Sequence, residues 1–390
     1  MMLELLVAGG GIAGLAAAVA ARHAGWEARL FEQAPEFTEV GAGIQLGPNA
    51  TRILREWELS PQALHAVAPP RLRVRDGVDG ALLALMPLGA DFERRYGAPY
   101  LTVHRADLHS ALLAAARDAG TRLHPACRVL EAQERADAVA LRTERAKGVE
   151  GDALAVAEGV WSGLRALVAE DGAPRSTGHL AYRGMVRQQD LPPLLRSDEV
   201  TVWLAPRMHL VTYPVRDGEW LNAVCVVEGT QAGDPRSWDH AASQAQLDAA
   251  LGPVCNAVRE RVACIPEWRL WVLHARTPVA APGELARGRI ALLGDAAHPM
   301  RPYLAQGAGM AIEDARELQR VLSVADGRVI DVPTVLRRYA LNRWERVAKV
   351  QERSERNGTV FHATGPLRMA RNTALRTLGA KLLDQPWLYR

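Results

Sequence analysis

Residues Leu3 to Gln33 read LELLVAGGGIAGLAAAVAARHAGWEARLFEQ, and this opening constrains the fold more than any other stretch. Leu3 to Ala8 is a short apolar run suited to a buried strand. Ala13 to His23 is Ala-rich and helical, and Glu27 to Glu32 reads as a second strand. Between the first strand and the helix, Gly9, Gly11 and Gly14 fall at GxGxxG spacing. Gly9 makes the tight turn, Gly11 admits a pyrophosphate, and Gly14 lets helix and strand approach closely. Ala13 lies inside this turn. Glu32 ends the second strand at the distance where an acid can accept an adenosine ribose hydroxyl, and Gln33 follows it. The pattern predicts a βαβ unit that holds a dinucleotide, without choosing between FAD and NAD.

Composition bounds the rest. A chain of 390 residues, 48% hydrophobic and 23% charged, allows about two to three ordinary globular domains. The net charge of +3 is small, and its arginines are scattered without a basic run, so no nucleic-acid partner is expected. The uncharged run Leu5 to Ala21 carries four glycines and no basic flank. It is short of the roughly 20 apolar residues of a spanning helix, so no membrane association is expected either. Cys127, Cys225, Cys255 and Cys264 show no CxxC spacing. Reduced thiols, no metal site and a cytoplasmic setting follow.

A second segment, RIALLGDAAHPMRPYLAQGAGMAIEDA (Arg289 to Ala315), starts as a strand, turns at Gly294-Asp295 and enters a helix through Gly307 and Gly309. An acid at a strand end can bind a sugar or ribityl hydroxyl. A glycine-rich helix start offers open N–H groups and about half a positive charge to a ring that turns anionic on reduction. Between the two segments, strand-like runs dominate from about 177 to 281, including Glu199 to Leu204, His209 to Val215 and Trp220 to Val227. Leu72 to Leu85 alternates like a hairpin. Helices are expected at Ala106 to Ala119, Ile312 to Leu322, Val332 to Arg356 and Pro366 to Leu383.

Two further motifs lie between these segments. Thr102 to Leu108 (TVHRADL) sets Arg105 at a helix start, and Glu158 to Arg165 (EGVWSGLR) follows a strand. In this order the four motifs resemble the fingerprints of the class A flavoprotein monooxygenases, the single-component aromatic hydroxylases. Glu158 stands where that family's DGxxSxxR fingerprint has Asp. FEQAPEFTEVGAGIQLGPNA, PLGADFERRYGAPY and PRMHLVTYPVRDGEWLN are similar to the branch holding 3-hydroxybenzoate 6-hydroxylase, salicylate hydroxylase and 6-hydroxynicotinate 3-monooxygenase.

The resemblance implies an α/β fold of the para-hydroxybenzoate-hydroxylase type. It would have a discontinuous Rossmann-like FAD-binding domain (1–70, 99–176, 282–330), a mostly antiparallel substrate-domain sheet (71–98, 177–281) and a C-terminal helical region (331–390). It implies bound FAD and NADH or NADPH as transient co-substrate. The partners would be O2 and a small aromatic substrate, a phenol or hydroxy-aromatic acid, with a homodimer as the assembly. The implied cofactor residues are Gly9, Gly11, Ala13, Gly14, Glu32, Gln33, Gly43, Arg105, Val129, Asp295, Gly307 and Gly309. Gln45, Arg183 and Pro302 would meet substrate. His209, with Tyr213 four residues on and so on the same strand face, would be the catalytic pair: a phenol of pKa near 10 needs a base to ionise at neutral pH, and imidazole is poised there. From the strand pattern alone, His209 reads first as a satisfied core or edge-strand histidine, and His298 as a residue that positions its loop.

Three rivals compete. A plain NAD-dependent dehydrogenase leaves residues 289–315 without a role. A flavin halogenase needs a substrate-side lysine, and no Lys lies between 148 and 348. A non-catalytic FAD-binding protein would lack substrate-stimulated NAD(P)H oxidation.

Overall fold

Contacts divide the chain into two compact units, each assembled from three separated stretches: 1–40, 106–175 and 274–354 form one, and 41–105, 176–273 and 355–390 the other. The computed structural model describes residues 2–38, 41–230, 240–325 and 331–390.

The first unit is organised by a six-stranded sheet. Its order is Ala286–Arg287, Ile290–Leu292, Ala153–Val156, Glu4–Ala8, Glu27–Phe31 and Arg122–His124. All pairs are parallel except the outer pair of Ala286–Arg287 with Ile290–Leu292. Parallel strands covered on both faces are apolar throughout, which is why ELLVA, ALAV and IAL carry almost no alternation. The helix Ile12–His23 buries nine of its residues, mostly Ala, and packs on the helix Gly307–Leu322. Small side chains permit that close approach. Beside this sheet lies a three-stranded antiparallel one, Val129–Glu134, Val139–Thr143 and Lys147–Gly151.

The second unit is built on an eight-stranded sheet. Its order is His240–Ala242, Trp268–Ala275, Arg175–Arg187, Trp220–Glu228, Met208–Val215, Val200–Ala205, Arg71–Asp76 and Leu82–Pro87. Val200–Ala205 pairs parallel with Arg71–Asp76; Arg175–Arg187 with Trp220–Glu228, Trp220–Glu228 with Met208–Val215, Met208–Val215 with Val200–Ala205, Arg71–Asp76 with Leu82–Pro87 and His240–Ala242 with Trp268–Ala275 pair antiparallel. Side chains alternate strictly between the faces. Trp203, Met208, Leu210 and Cys225 meet the short helices Gln244–Ala250 and Asn256–Ala263 on one face. Val74, Val202 and Leu204 turn the other way, toward Leu375 and Phe361.

Residues 41–70, grouped by the sequence reading with the nucleotide-binding part, make their contacts in the second unit. Gly43–Leu46 pairs antiparallel with Leu101–His104, and Val67 bridges Thr102. Residues 331–354 fall in the first unit and 355–390 in the second, with one helix, Val332–Phe361, running through residue 354. The last helical stretch breaks at Gly379, whose φ of 52° ends Gly365–Leu378 before Ala380–Leu383 begins. No described helix is long and apolar enough to cross a membrane. The four cysteines are unpaired.

Candidate cofactor cradle and substrate-side cluster

In the first unit the glycine turn takes a shape that only glycine supports. Gly9 has φ 105°, and a Cβ on it would run into the Ala157 carbonyl. A Cβ on Gly14 would strike the Gly9 carbonyl oxygen. The helix that follows has Gly11 as N-cap and no side-chain cap, so its first N–H groups are available to an anion. Ala13 is partly exposed at that start. The Glu32 carboxylate accepts the Gly10 N–H at 2.6 Å and the Ala34 N–H at 2.7 Å, which fixes it at the mouth of the turn. Two N–H groups leave an ionised carboxylate with acceptor capacity for a ribose hydroxyl. Gln33 is exposed beside it, and the Cys127 N–H bonds the Glu32 carbonyl, bringing Val129 into the same neighbourhood.

The late segment meets this turn directly. Gly294, at φ 56°, sits so close to Ala13 that a Cβ would lie 2.7 Å from the Ala13 methyl. Asp295 follows on the turn Gly294–Ala296 with its side chain exposed. His298 is buried, with Nε2 2.6 Å from Asp314 Oδ2. The same carboxylate accepts the Gly294 N–H at 3.0 Å and the Arg343 Nε–H at 2.9 Å. Burial alone would push the Asp314 carboxyl up; His298, Arg343 and the Gly294 N–H outweigh it and hold the group below the usual carboxylate range. His298 therefore fastens the loop to the helix Gly307–Leu322. Gly307 opens that helix behind Gln306, with no side-chain cap and open space where a Cβ would project, and Gly309 is buried one turn in. Pro302 opens the turn Pro302–Leu304, partly exposed.

The third fingerprint braces the same loop. Buried Arg165 donates to the Ala296 and Ala297 carbonyls, both at 2.6 Å, and pairs with Asp171. Glu158 accepts the Ser162 hydroxyl at 2.8 Å, so the longer acid closes its own turn. Two uncapped glycine-led helix starts with N–H groups to donate, the accepting carboxylates of Glu32 and Asp295, and a glycine turn closed to side chains are groups that suit a flavin dinucleotide.

In the second unit the residues expected to meet substrate, Pro302 apart, lie at one face of the large sheet. Tyr213 is 3% exposed and hydrogen-bonds Gln45, whose Oε1 also accepts the Tyr100 hydroxyl at 2.7 Å. Burial raises the Tyr213 phenol above its ordinary pKa, with the Arg183 charge and Gln45 pulling the other way. Arg183 lies over the Trp271 ring, 4.7 Å from its centroid. Gly43 donates its N–H to Asn222 Oδ1 at 2.7 Å, and a Cβ there would sit 2.6 Å from the Tyr213 ring. Arg105, partly exposed, starts the helix Arg105–Asp118 and donates its backbone N–H to Ala42.

His209, two pleat repeats from Tyr213 on the same strand face, is 3% exposed. Its Nδ1 is 2.9 Å from His362 Nε2, and its ring packs edge-on against Phe361. Burial, with a smaller contribution from His179, drives its pKa down to about 3, so the imidazole is neutral at working pH. Behind it, His362 Nδ1 lies 3.7 Å from Glu228 Oε1, at a carboxylate 43% exposed.

Each unit thus gathers its own share of the residues singled out from sequence. Tyr100, Asn222 and His362 were not among them. Tyr100 closes a block that carried the resemblance, so a signal existed for it. Asn222 closes another such block, whereas His362 reaches its partner over 153 residues and leaves no local trace.

Comparison with known proteins agrees with this geometry. The FAD binding domain family matches residues 2–354. A 3-hydroxybenzoate 6-hydroxylase from Polaromonas naphthalenivorans is 36% identical over 95% of this chain and 91% of its own. A 3-amino-4-hydroxybenzoate 2-monooxygenase from Streptomyces platensis is 38% identical over 99% and 95%. Among solved structures, a salicylate hydroxylase substrate complex superposes with a TM-score of 0.81 at 25% identity, covering 100% of this chain and 95% of that one.

Proposed function

Since the chain belongs to the FAD binding domain family, among the class A flavoprotein hydroxylases, we propose that it hydroxylates a small aromatic acid that carries a ring hydroxyl. The observation that supports this substrate class most is the neutral, buried His209 on the same sheet face as the Tyr213, Gln45 and Tyr100 cluster. Bound FAD supplies activation of O2, with electrons from NADH or NADPH, and delivery of one oxygen atom to the ring.

The chain's own residues prepare the ring. His209 accepts the proton of the substrate hydroxyl, raising electron density at the positions ortho and para to it. Its low pKa comes from burial first and the neighbouring His179 second. A phenolate formed beside it stabilises the imidazolium by opposite charge. His362, 2.9 Å from Nδ1, fixes the orientation of the imidazole. Arg183 and the two tyrosines would orient the carboxylate, an arrangement in which a buried charge is paired rather than isolated. Burial excludes water, which protects the activated oxygen from unproductive decay. Unpaired cysteines agree with a reducing, cytoplasmic setting.

The test is a panel of 3-hydroxybenzoate, salicylate, 3-amino-4-hydroxybenzoate and 6-hydroxynicotinate, scored by NAD(P)H consumed per hydroxylated product. A substrate that turns over with near one-to-one coupling supports the reading. Flavin-loaded protein that oxidises no NAD(P)H faster with any of them overturns it.

A further inference from the structure

The face of the large sheet turned away from His209 and Tyr213 carries a polar cavity of about 360 Å³ that the hydroxylation chemistry leaves unused. Its floor is set by strand register. Arg73 stands beside Thr201 and Arg75 beside Trp203 across the parallel pair, and Thr201 faces Thr212 on the next strand. Alternation places these side chains with Met208 and Leu210, opposite His209, Val211 and Tyr213. Arg196 and Arg261 complete the wall.

The charge here is not balanced. Glu199 pairs with Arg73 at 2.7 Å and Arg71 at 3.1 Å. Arg75, Arg196 and Arg261 have no ion pair among the described residues, and Glu260 acts on Arg261 only at a distance. Burial and the neighbouring Arg75 both disfavour the charge on Arg261. Backbone carbonyls hold each guanidinium in place: Gly80 for Arg75, Leu191 and Gln189 for Arg196, Ala257 for Arg261. That leaves further N–H donors on every one of them. Trp203 adds an independent sign. It lines the cavity and is 3% exposed, Arg75 and Arg261 lie over its ring at 5.4 and 5.2 Å, and its buried indole N–H has no hydrogen-bond partner. Buried donors are ordinarily satisfied, so three fixed cations and an idle N–H around one space are built for an acceptor-rich anion.

We propose that this cavity is a second binding site, for a small organic oxyanion held by Arg75, Arg261, Arg196 and the Trp203 indole N–H. The volume falls in the range of small-ligand sites and exceeds what a bare phosphate needs. Leu194, 92% exposed at the rim, offers apolar contact to the rest of the molecule.

The test is calorimetric titration of the FAD-loaded enzyme with pyrophosphate and, separately, with citrate, which distinguishes a phosphate-bearing from a carboxylate-bearing ligand. Binding of either is expected, weakening as salt rises. Arg261→Gln should weaken it at least about tenfold, the loss expected for charge-assisted hydrogen bonds. Trp203→Phe, which keeps the ring and removes only the N–H, should weaken it roughly fivefold. Flavin content and hydroxylation rate should stay at wild-type values. Should Arg261→Gln lose flavin or fold, Trp203→Phe carries the result alone. Failure of both probes to bind up to about 10 mM, or wild-type affinity in a folded variant, overturns the proposal.

Discussion

Asp314→Ala probes the fastening of the cofactor loop. The carboxylate is fully enclosed and serves three donors: Gly294 N–H at 3.0 Å, His298 Nε2 at 2.6 Å and Arg343 Nε at 2.9 Å. Removing one partner of a buried pair costs about 3–5 kcal/mol, because the remaining cation is left desolvated. Arg343 keeps Glu313 at 2.7 Å, so the loss should lie near the lower end, about 3 kcal/mol. The orphaned Gly294 N–H adds about 1 kcal/mol. A total near 4 kcal/mol lowers Tm by roughly 8–16 °C for a unit of this size. Differential scanning fluorimetry of flavin-loaded and flavin-stripped protein reads the loss, and the ratio of flavin to protein absorbance reads whether the loop still retains its cofactor. Asp314→Asn keeps the volume and isolates the contribution of charge. A Tm within about 2 °C of wild type, with full flavin occupancy, would refute the reasoning.

Four further outcomes are expected. His209→Gln should bind flavin normally yet lose about a hundredfold in hydroxylated product, with NADH consumption diverted to peroxide; unchanged product formation removes His209 from the chemistry. Because the folded pKa of His209, about 3, lies below the unfolded value near 6.5, the unfolded chain binds the proton that the folded one refuses. Stability should therefore fall as pH drops from 6.5 toward 3, by about 2 kcal/mol at pH 5, and denaturant titrations should show that slope flattened in His209→Gln. Asp295→Ala should be purified depleted in flavin, its affinity lowered roughly tenfold or more by the lost charge-assisted bond; full occupancy contradicts a cofactor role. Gly43→Ala puts a methyl 2.6 Å from Tyr213 and 2.8 Å from Asn222. It should cost about 1–3 kcal/mol and raise KM more than it lowers kcat.

Much of this was legible in the sequence because the relevant physics is local. The glycine turn, the strand Glu4–Ala8 and the helix Ile12–His23 follow from spacing and apolar run length. His209 and Tyr213 share a face because a strand alternates with period two. Other features depend on partners far along the chain. The helix Gly307–Leu322 starts five residues earlier than its apolar pattern predicts, since packing on Ile12–His23 overrides the poor propensity of Gly307 and Gly309. The pairing of Gly43–Leu46 with Leu101–His104, which moves residues 41–70 into the second unit, has no sequence signature at all. Nor has the arginine cavity: Arg75 and Arg261 read separately as ordinary surface charges.

Threading three stretches into each unit dictates the order in which the molecule can be completed. While the ribosome is still translating, the parallel sheet lacks Ile290–Leu292 and the helix that seals the glycine turn until most of the polypeptide has emerged. The large sheet waits longer, for the terminal segment 355–390 that brings Phe361, His362 and Leu375 onto its inner surface. Neither body can be expressed as a continuous fragment, and a nascent chain stalled before residue 355 would present bare apolar strands, the condition under which aggregation competes with folding.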